Sequence, residues 1–196
     1  MSTSKAAQSE ATRAKLLTAA RELFGERGYA AVGTEEVVRA AGVTRGALYH
    51  QFADKQALFR ALVEQVEMEV IRFAGERMDA HPDDLLVAFK AACRAWLEVC
   101  AEPDVERILL VDAPAVLGLD TWREIGEQYG IGVVKASLEQ GMASGALRPA
   151  PVDPLAHVII GALDEAALYV ARAADRDRAL RETGEIVERL LDSLAA

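Results

Sequence analysis

At 196 residues the chain is long enough for one or two domains and a sizeable core, and 52% hydrophobic with 27% charged residues excludes a disordered polymer. The formal net charge of −9 is unevenly spread, because residues 1–55 hold eight Lys and Arg against six Asp and Glu, a net of +2, and the remainder is net −11. A polyanion would therefore be met by the N-terminal third. The sequence is read as having no apolar run near the roughly 18 residues of a membrane span. The N-terminal stretch has no signal-peptide core. A cytoplasmic protein with no membrane partner is expected.

Taken in chain order, residues 1–9 read as a disordered tail that runs into a first helix. Leu16, Leu17, Ala20, Leu23 and Phe24 form its amphipathic face, and Gly28 stops it after Arg27. Thr34 is placed to cap a very short second helix whose first turn holds Glu35 and Glu36, and Gly42 ends that helix. Thr44 caps a third, running to about Phe52. Asp54 caps a fourth, with Leu58, Phe59, Leu62, Val63 and Val66 on one face.

Beyond Met78 the predicted helices lengthen. "HPDD" at 81–84 opens one in which Leu85, Leu86, Phe89, Cys93, Trp96, Leu97 and Cys100 share a face. Pro103 suits the first turn of a short helix through Leu110 and Val111, "DAPAVLGLD" at 112–120 reads as a connector, and Asp120 as the next cap. Gly126, Gly130 and Gly132 predict a bend or break in that helix, and Gly145 its C-terminal cap. Asp153 as cap and Pro154 in the first turn open a clear helix, and the last runs from Arg176 to Leu194. No strand alternation and no repeat is found. The fold class predicted is all-α, with about nine helices.

The second and third helices are the informative pair. Two very short helices joined at Gly42-Val43 have the layout of a helix-turn-helix, which lays its second helix in the major groove of DNA. Leu48 and Phe52, at i and i+4, anchor that helix inward against Leu23 and Val38. Thr44, Arg45, Tyr49 and Gln51 then face out. Arg45 suits bidentate reading of a guanine edge, and Thr44, Tyr49, His50, Gln51 and Lys55 suit phosphate contacts.

The stretch 13–62, with "RELFGERGY", "T" and "AGV" across the second helix, "GALYHQF" in the third and "DKQALF" opening the fourth, closely resembles the DNA-binding domain of the TetR family of bacterial transcriptional regulators. The resemblance implies a homodimeric, ligand-responsive repressor with a variable helical C-terminal domain around a small-molecule pocket. Arg45 and Gly46 fall where that family contacts bases, and Thr34, Thr44, Tyr49, Gln51 and Lys55 where it contacts the DNA backbone. His50 stands at a position that is often aromatic or polar. The domains expected are thus residues 10–55 for DNA binding and 56–196 for ligand binding and dimerisation. The partners expected are a double-stranded operator, a small, mainly apolar effector and a second copy of the chain.

In the C-terminal body, Phe73, Phe89, Trp96, Trp122, Tyr129 and Met142 are large and lie mostly on apolar faces, which suits either core packing or a ligand cavity. Asp112, flanked by apolar residues, is the acidic position to watch should the ligand be cationic. Gly161, Ala162, Ala166 and Ala167 permit close helix approach, and Val187, Leu190, Leu191 and Leu194 supply apolar area. These are the candidates for a four-helix dimer interface.

Readings of other classes are weaker. A co-regulator or activator that works through a partner protein remains the alternative. No enzyme, catalytic residue or cofactor is expected. "GIGVV" at 130–134 lacks the preceding strand of a dinucleotide site, and His50, His81 and His157 show no metal-ligand spacing. Cys93 and Cys100 lie two helical turns, about 10 Å, apart, too far to bridge, so buried reduced thiols are expected.

Overall fold

Strong local signals set the helix ends, and the computed structural model, which describes residues 5–196, shows them at work. Among the described residues the helical segments join into nine helices: α1 Lys5–Arg27, α2 Thr34–Ala40, α3 Arg45–Gln51, α4 Lys55–Asp79, α5 Leu85–Cys100, α6 103–117, α7 119–144, α8 Val152–Arg172 and α9 Arg176–Asp192. The Thr44 hydroxyl accepts from the Ala47 amide at 3.2 Å, and Asp54 Oδ1 accepts from Ala57 at 2.7 Å. Asp84 accepts from Val87 at 3.0 Å. Gly145 ends α7 in the left-handed region. Cys93 and Cys100 are free and buried, and burial pushes the Cys93 thiol up to about 12.

The turn between α2 and α3 is a Schellman closure. Gly42 sits at φ +63°, its N–H donates to the Arg39 carbonyl at 3.2 Å, and the Val43 N–H donates to the Val38 carbonyl at 3.2 Å. A residue with a Cβ would meet no atom there but would carry the left-handed backbone cost.

Several local expectations are corrected. Thr34 is the first residue of α2 and not its cap. The cap is Gly33, whose N–H donates to Glu36 Oε1 at 3.1 Å, so the glutamate does the capping. Lys5–Ser9 belong to α1, not to a tail, since Ala6 and Ala7 favour helix and Gln51 holds Ser9; the rest of the expected tail lies outside the described residues. "DAPAVLGLD" is no connector. A π-type turn over Glu106–Asp112 precedes Pro114, which cannot donate to the helix ladder, and α6 runs on to Leu117, where Gly118 at φ +85° stops it.

Asp120 lies within the first turn of α7, and a π-type turn at Glu127–Ile131 stands where the glycines predicted a bend or break. Asp153 likewise lies inside α8, paired with Lys135, after Pro151 as cap. Leu194 lies beyond α9, next to the isolated antiparallel bridge of Leu147 with Ala195.

The chain forms two compact units, one made of residues 5–66 with Pro103–Trp122, the other of Glu67–Glu102 with Arg123–Ala196. This division falls inside α4, and α6 belongs to the first unit. In that unit Phe24, Phe59, Leu16, Leu48, Leu58 and Leu62 are fully buried. Each such side chain contributes about 2 kcal/mol, more than any surface ion pair here. Phe24 and Phe59 pack edge to face with centroids 5.6 Å apart, and Tyr29 lies 4.9 Å from Phe59. Gly25 lets α6 approach α1: an added Cβ would lie 2.8 Å from the Asp104 Cβ.

The second unit buries Phe89, Cys93, Leu97 and Cys100 of α5 with Ala156, Ile159, Leu163 and Val170 of α8 and Val187 and Leu191 of α9. Ion pairs Arg94–Glu188 and Lys90–Asp192, both 2.6 Å, tie α5 to α9. Two half-buried carboxyl groups lie in this unit as well. Burial, reinforced by Asp164, pushes Glu67 up to about 7, and burial pushes Asp164 up to about 6, with Arg123 opposing. Contrary to the reading of the sequence, α8 is long and apolar enough to cross a membrane by length and composition, with a mean hydropathy of 1.4. It is apolar on both sides because one side packs in the core while Val158 and Tyr169 stand exposed on the other.

Two outcomes are expected. Gly25→Ala forces α6 away from α1 and lowers the unfolding free energy by about 1–3 kcal/mol in denaturant titration, while an unchanged midpoint would contradict the close approach. Glu67 and Asp164 ionise later in the folded than in the unfolded chain. Their contribution therefore destabilises progressively as pH rises from 5 toward 7 and levels off above it. Glu67→Gln gains stability relative to wild type between pH 5 and pH 8, on the order of 2 kcal/mol, and parallel pH profiles would refute the enclosure.

Candidate functional site

The outward face of α3 is built by what its inward face buries. Leu48 is fully buried and Phe52 nearly so, with Leu23 and Val38 half-buried. The seven-residue helix then presents Thr44, Arg45, Gly46, Tyr49 and His50 to solvent. The Arg45 side chain is 67% exposed, its Nη1 3.3 Å from Glu35 Oε1 and its guanidinium 5.6 Å from the Tyr49 ring centroid. An exposed pair of that kind is worth at most about 1 kcal/mol, so Arg45 can exchange Glu35 for an incoming acceptor at little cost. Glu35 is a residue that the sequence reading took only for its place in a helix first turn.

Two expected DNA-backbone residues are engaged elsewhere. Gln51 Nε2 donates to Ser9 Oγ at 2.6 Å and holds the start of α1 against α3. Lys55 Nζ donates to the Tyr29 carbonyl at 2.6 Å and lies 3.9 Å from the Tyr29 ring centroid. Burial pushes the Lys55 ammonium below its usual lysine value, opposed by Asp112 and Glu36. Thr34 is half-buried at the start of α2.

The ligand candidates divide between the two units. Asp112 accepts the Tyr29 N–H at 2.7 Å inside the first unit, where Trp122 also belongs. Phe89 is buried, and Phe73, Trp96, Tyr129 and Met142 are half-buried in the second unit. A cleft of about 350 Å³ where α8 meets α9 is lined by Tyr169, Arg172, Asp175, Arg178 and Glu182, and by none of the ligand candidates.

Of the interface candidates, Gly161 and Leu190 face outward. Ala166, Val187 and Leu191 turn into the core, and Ala162 and Leu194 are half-buried. The large apolar side chains left uncovered on α8 and α9 are Val158 at 66% exposure, Tyr169 at 58%, Ile186 at 51% and Leu190 at 55%. Spacing carried that signal, because Ile186 and Leu190 are i and i+4 on a stripe turned about 100° from that of Val187 and Leu191.

This geometry is that of a helix-turn-helix protein, and comparison with known proteins places it further. The family described as bacterial regulatory proteins, tetR family, matches residues 16–62, and the tetracyclin repressor-like C-terminal domain matches residues 86–194. The chain belongs to the TetR family of DNA-binding transcriptional regulators, which are not enzymes. A TetR-family regulator from Pectobacterium atrosepticum is 36% identical, with a TM-score of 0.84 and 97% of each chain covered. The regulator AcrR of Shigella flexneri is 31% identical over 53% of this chain, and the transposon Tn10 TetC protein of Escherichia coli is 25% identical over 78% of this chain and 76% of its own length. The chain spans about half the length of the curated relatives it matches, 48% of AcrR and 41% of UidR of Escherichia coli.

Lys55→Met tests the inward placement of the ammonium. It lowers unfolding free energy by about 1–3 kcal/mol and leaves the salt dependence of DNA binding as it is. A stable variant whose salt slope falls by about one unit would instead put Lys55 on a phosphate.

Proposed function

We propose that this TetR-family regulator is a homodimeric repressor that binds a palindromic operator through α3 and is released by a small, mainly apolar effector in the cytoplasm. The observation that carries the DNA half is the exposed face of Thr44, Arg45, Gly46, Tyr49 and His50 above buried Leu48 and Phe52. Arg45 reads a base edge, and Thr44, Tyr49 and His50 contact phosphates on either side of it. With one α3 per protomer, half-sites lie about 34–36 Å apart or a multiple of it.

The dimer half is supported by Val158, Tyr169, Ile186 and Leu190, whose exposure leaves apolar area for a symmetric four-helix contact through α8 and α9. Release works through α6. Arg21–Asp104 at 2.9 Å, Tyr29–Asp112 at 2.7 Å and Gln56–Val116 at 2.8 Å fasten it to α1 and α4. An effector that shifts α6 thereby shifts the helix-turn-helix. The coupling amounts to the difference in the effector's affinity for the two conformers, about 1–3 kcal/mol in systems of this kind.

Arg45→Ala, measured by fluorescence anisotropy on operator and on random duplex, is expected to cost about 1–3 kcal/mol on the operator and to relax preference at one base pair. Equal losses on both duplexes would remove Arg45 from base reading. Gel shifts with fragments of the host genome that retain no palindromic site would sink the repressor reading as a whole.

A further inference from the structure

We propose that Glu35 is a specificity-determining residue of the DNA-binding face: its carboxylate holds Arg45 for reading a base edge and keeps it from gripping phosphate. The proposal rests on the reading of Arg45 as a base-contacting residue. A carboxylate is unfavourable on a surface that meets a polyanion, where each cation adds affinity by neutralising a phosphate. This one stands at the tip of the arginine. Glu35 Oε1 lies 3.3 Å from Arg45 Nη1, although the two belong to different helices, α2 and α3. The Tyr49 ring, one turn along α3, lies 5.6 Å from the same guanidinium. Capping does not account for Glu35. The neighbouring Glu36 accepts from the Gly33 N–H at 3.1 Å and pairs with Arg27 at 2.6 Å, whereas the partner of Glu35 is Arg45. Stability does not account for it either, because the two side chains are too exposed for the pair to add much.

A free arginine and a paired one choose different acceptors. Free, the guanidinium is a cation that a phosphate satisfies in any sequence. Paired, it forms a nearly neutral unit with its carboxylate and gains little from a further full negative charge. Its hydrogen-bonding capacity survives, because a guanidinium has five N–H donors and Glu35 engages it at Nη1. The donors left over match the N7 and O6 acceptors of a guanine edge, which carry only partial charge. Residues 1–55 have a net charge of only +2, so neutralising one arginine removes a large share of the general attraction to DNA. Glu35 thus lowers affinity for DNA at large and raises the preference for one sequence.

Full-length wild type, Glu35→Gln, Arg45→Ala and the double variant are compared by fluorescence anisotropy on two duplexes over a series of salt concentrations. One duplex is the inverted repeat that the wild-type chain enriches from a random pool, and the other holds the same bases shuffled. Glu35→Gln is expected to strengthen binding to the shuffled duplex and to steepen its salt slope by about one unit. The ratio of the two affinities falls about fivefold. In the Arg45→Ala background the same substitution leaves the ratio where it is. Glu165→Gln, which removes one negative charge from an exposed position in the second unit, behaves as wild type. Melting curves confirm the fold of each variant. A ratio that Glu35→Gln leaves unchanged, as plain charge repulsion on both duplexes predicts, overturns the proposal, and so does an equal fall with Arg45 absent. A selective loss in Arg45→Ala beside an unchanged ratio in Glu35→Gln overturns the role of Glu35 alone. Equal losses of Arg45→Ala on both duplexes remove the base reading together with the proposal.

Discussion

The peptide of Tyr29 is held at both ends, and much of the first unit follows from that grip. Its N–H donates to the Asp112 carboxylate and its carbonyl accepts the Lys55 ammonium, while Gly28 at φ +82° turns the chain into position after α1. The two contacts bring the end of α6 and the start of α4 to one residue, beside the Phe24–Tyr29–Phe59 cluster. Charge-assisted hydrogen bonds in a partly buried setting are the strong ones, so this junction outweighs the exposed pairs around it. It fixes the base on which α2 and α3 stand and makes α6, late in the chain, part of the DNA-binding unit.

The second unit is organised by a different constraint. Its core is mostly small and aliphatic, and α8, the most apolar of its long helices, buries Ala156, Ile159, Leu163, Ala166, Ala167 and Val170. That side packs against α5 and α9, while Val158 and Tyr169 stand exposed on the other.

Much of the fold was legible in the sequence because its signals are local. Thr44, Asp54 and Gly145 act at helix ends as their residue types predict, Gly42 makes the helix-turn-helix closure, and the spacing of Leu48 and Phe52 gave the inward side of α3. Local signals do not carry a partner that lies far away in the chain. Lys55 was read as suited to a phosphate contact, Gln51 as facing outward and Asp112 as the acid to watch for a cationic ligand. Their partners lie 26, 42 and 83 residues distant, and no periodicity reveals such pairings. The continuation of α6 past residue 112 was missed because a proline normally ends a helix, and a π-type turn that precedes one is invisible in composition.

Selection of random duplex DNA by the purified full-length chain, with sequencing of what it retains, tests the account most directly. The account predicts enrichment of an inverted repeat with half-sites one helical turn, or a multiple of it, apart, and loss of that enrichment in Arg45→Ala. Retention of DNA without any repeated half-site, or the same motif retained by Arg45→Ala, would contradict it.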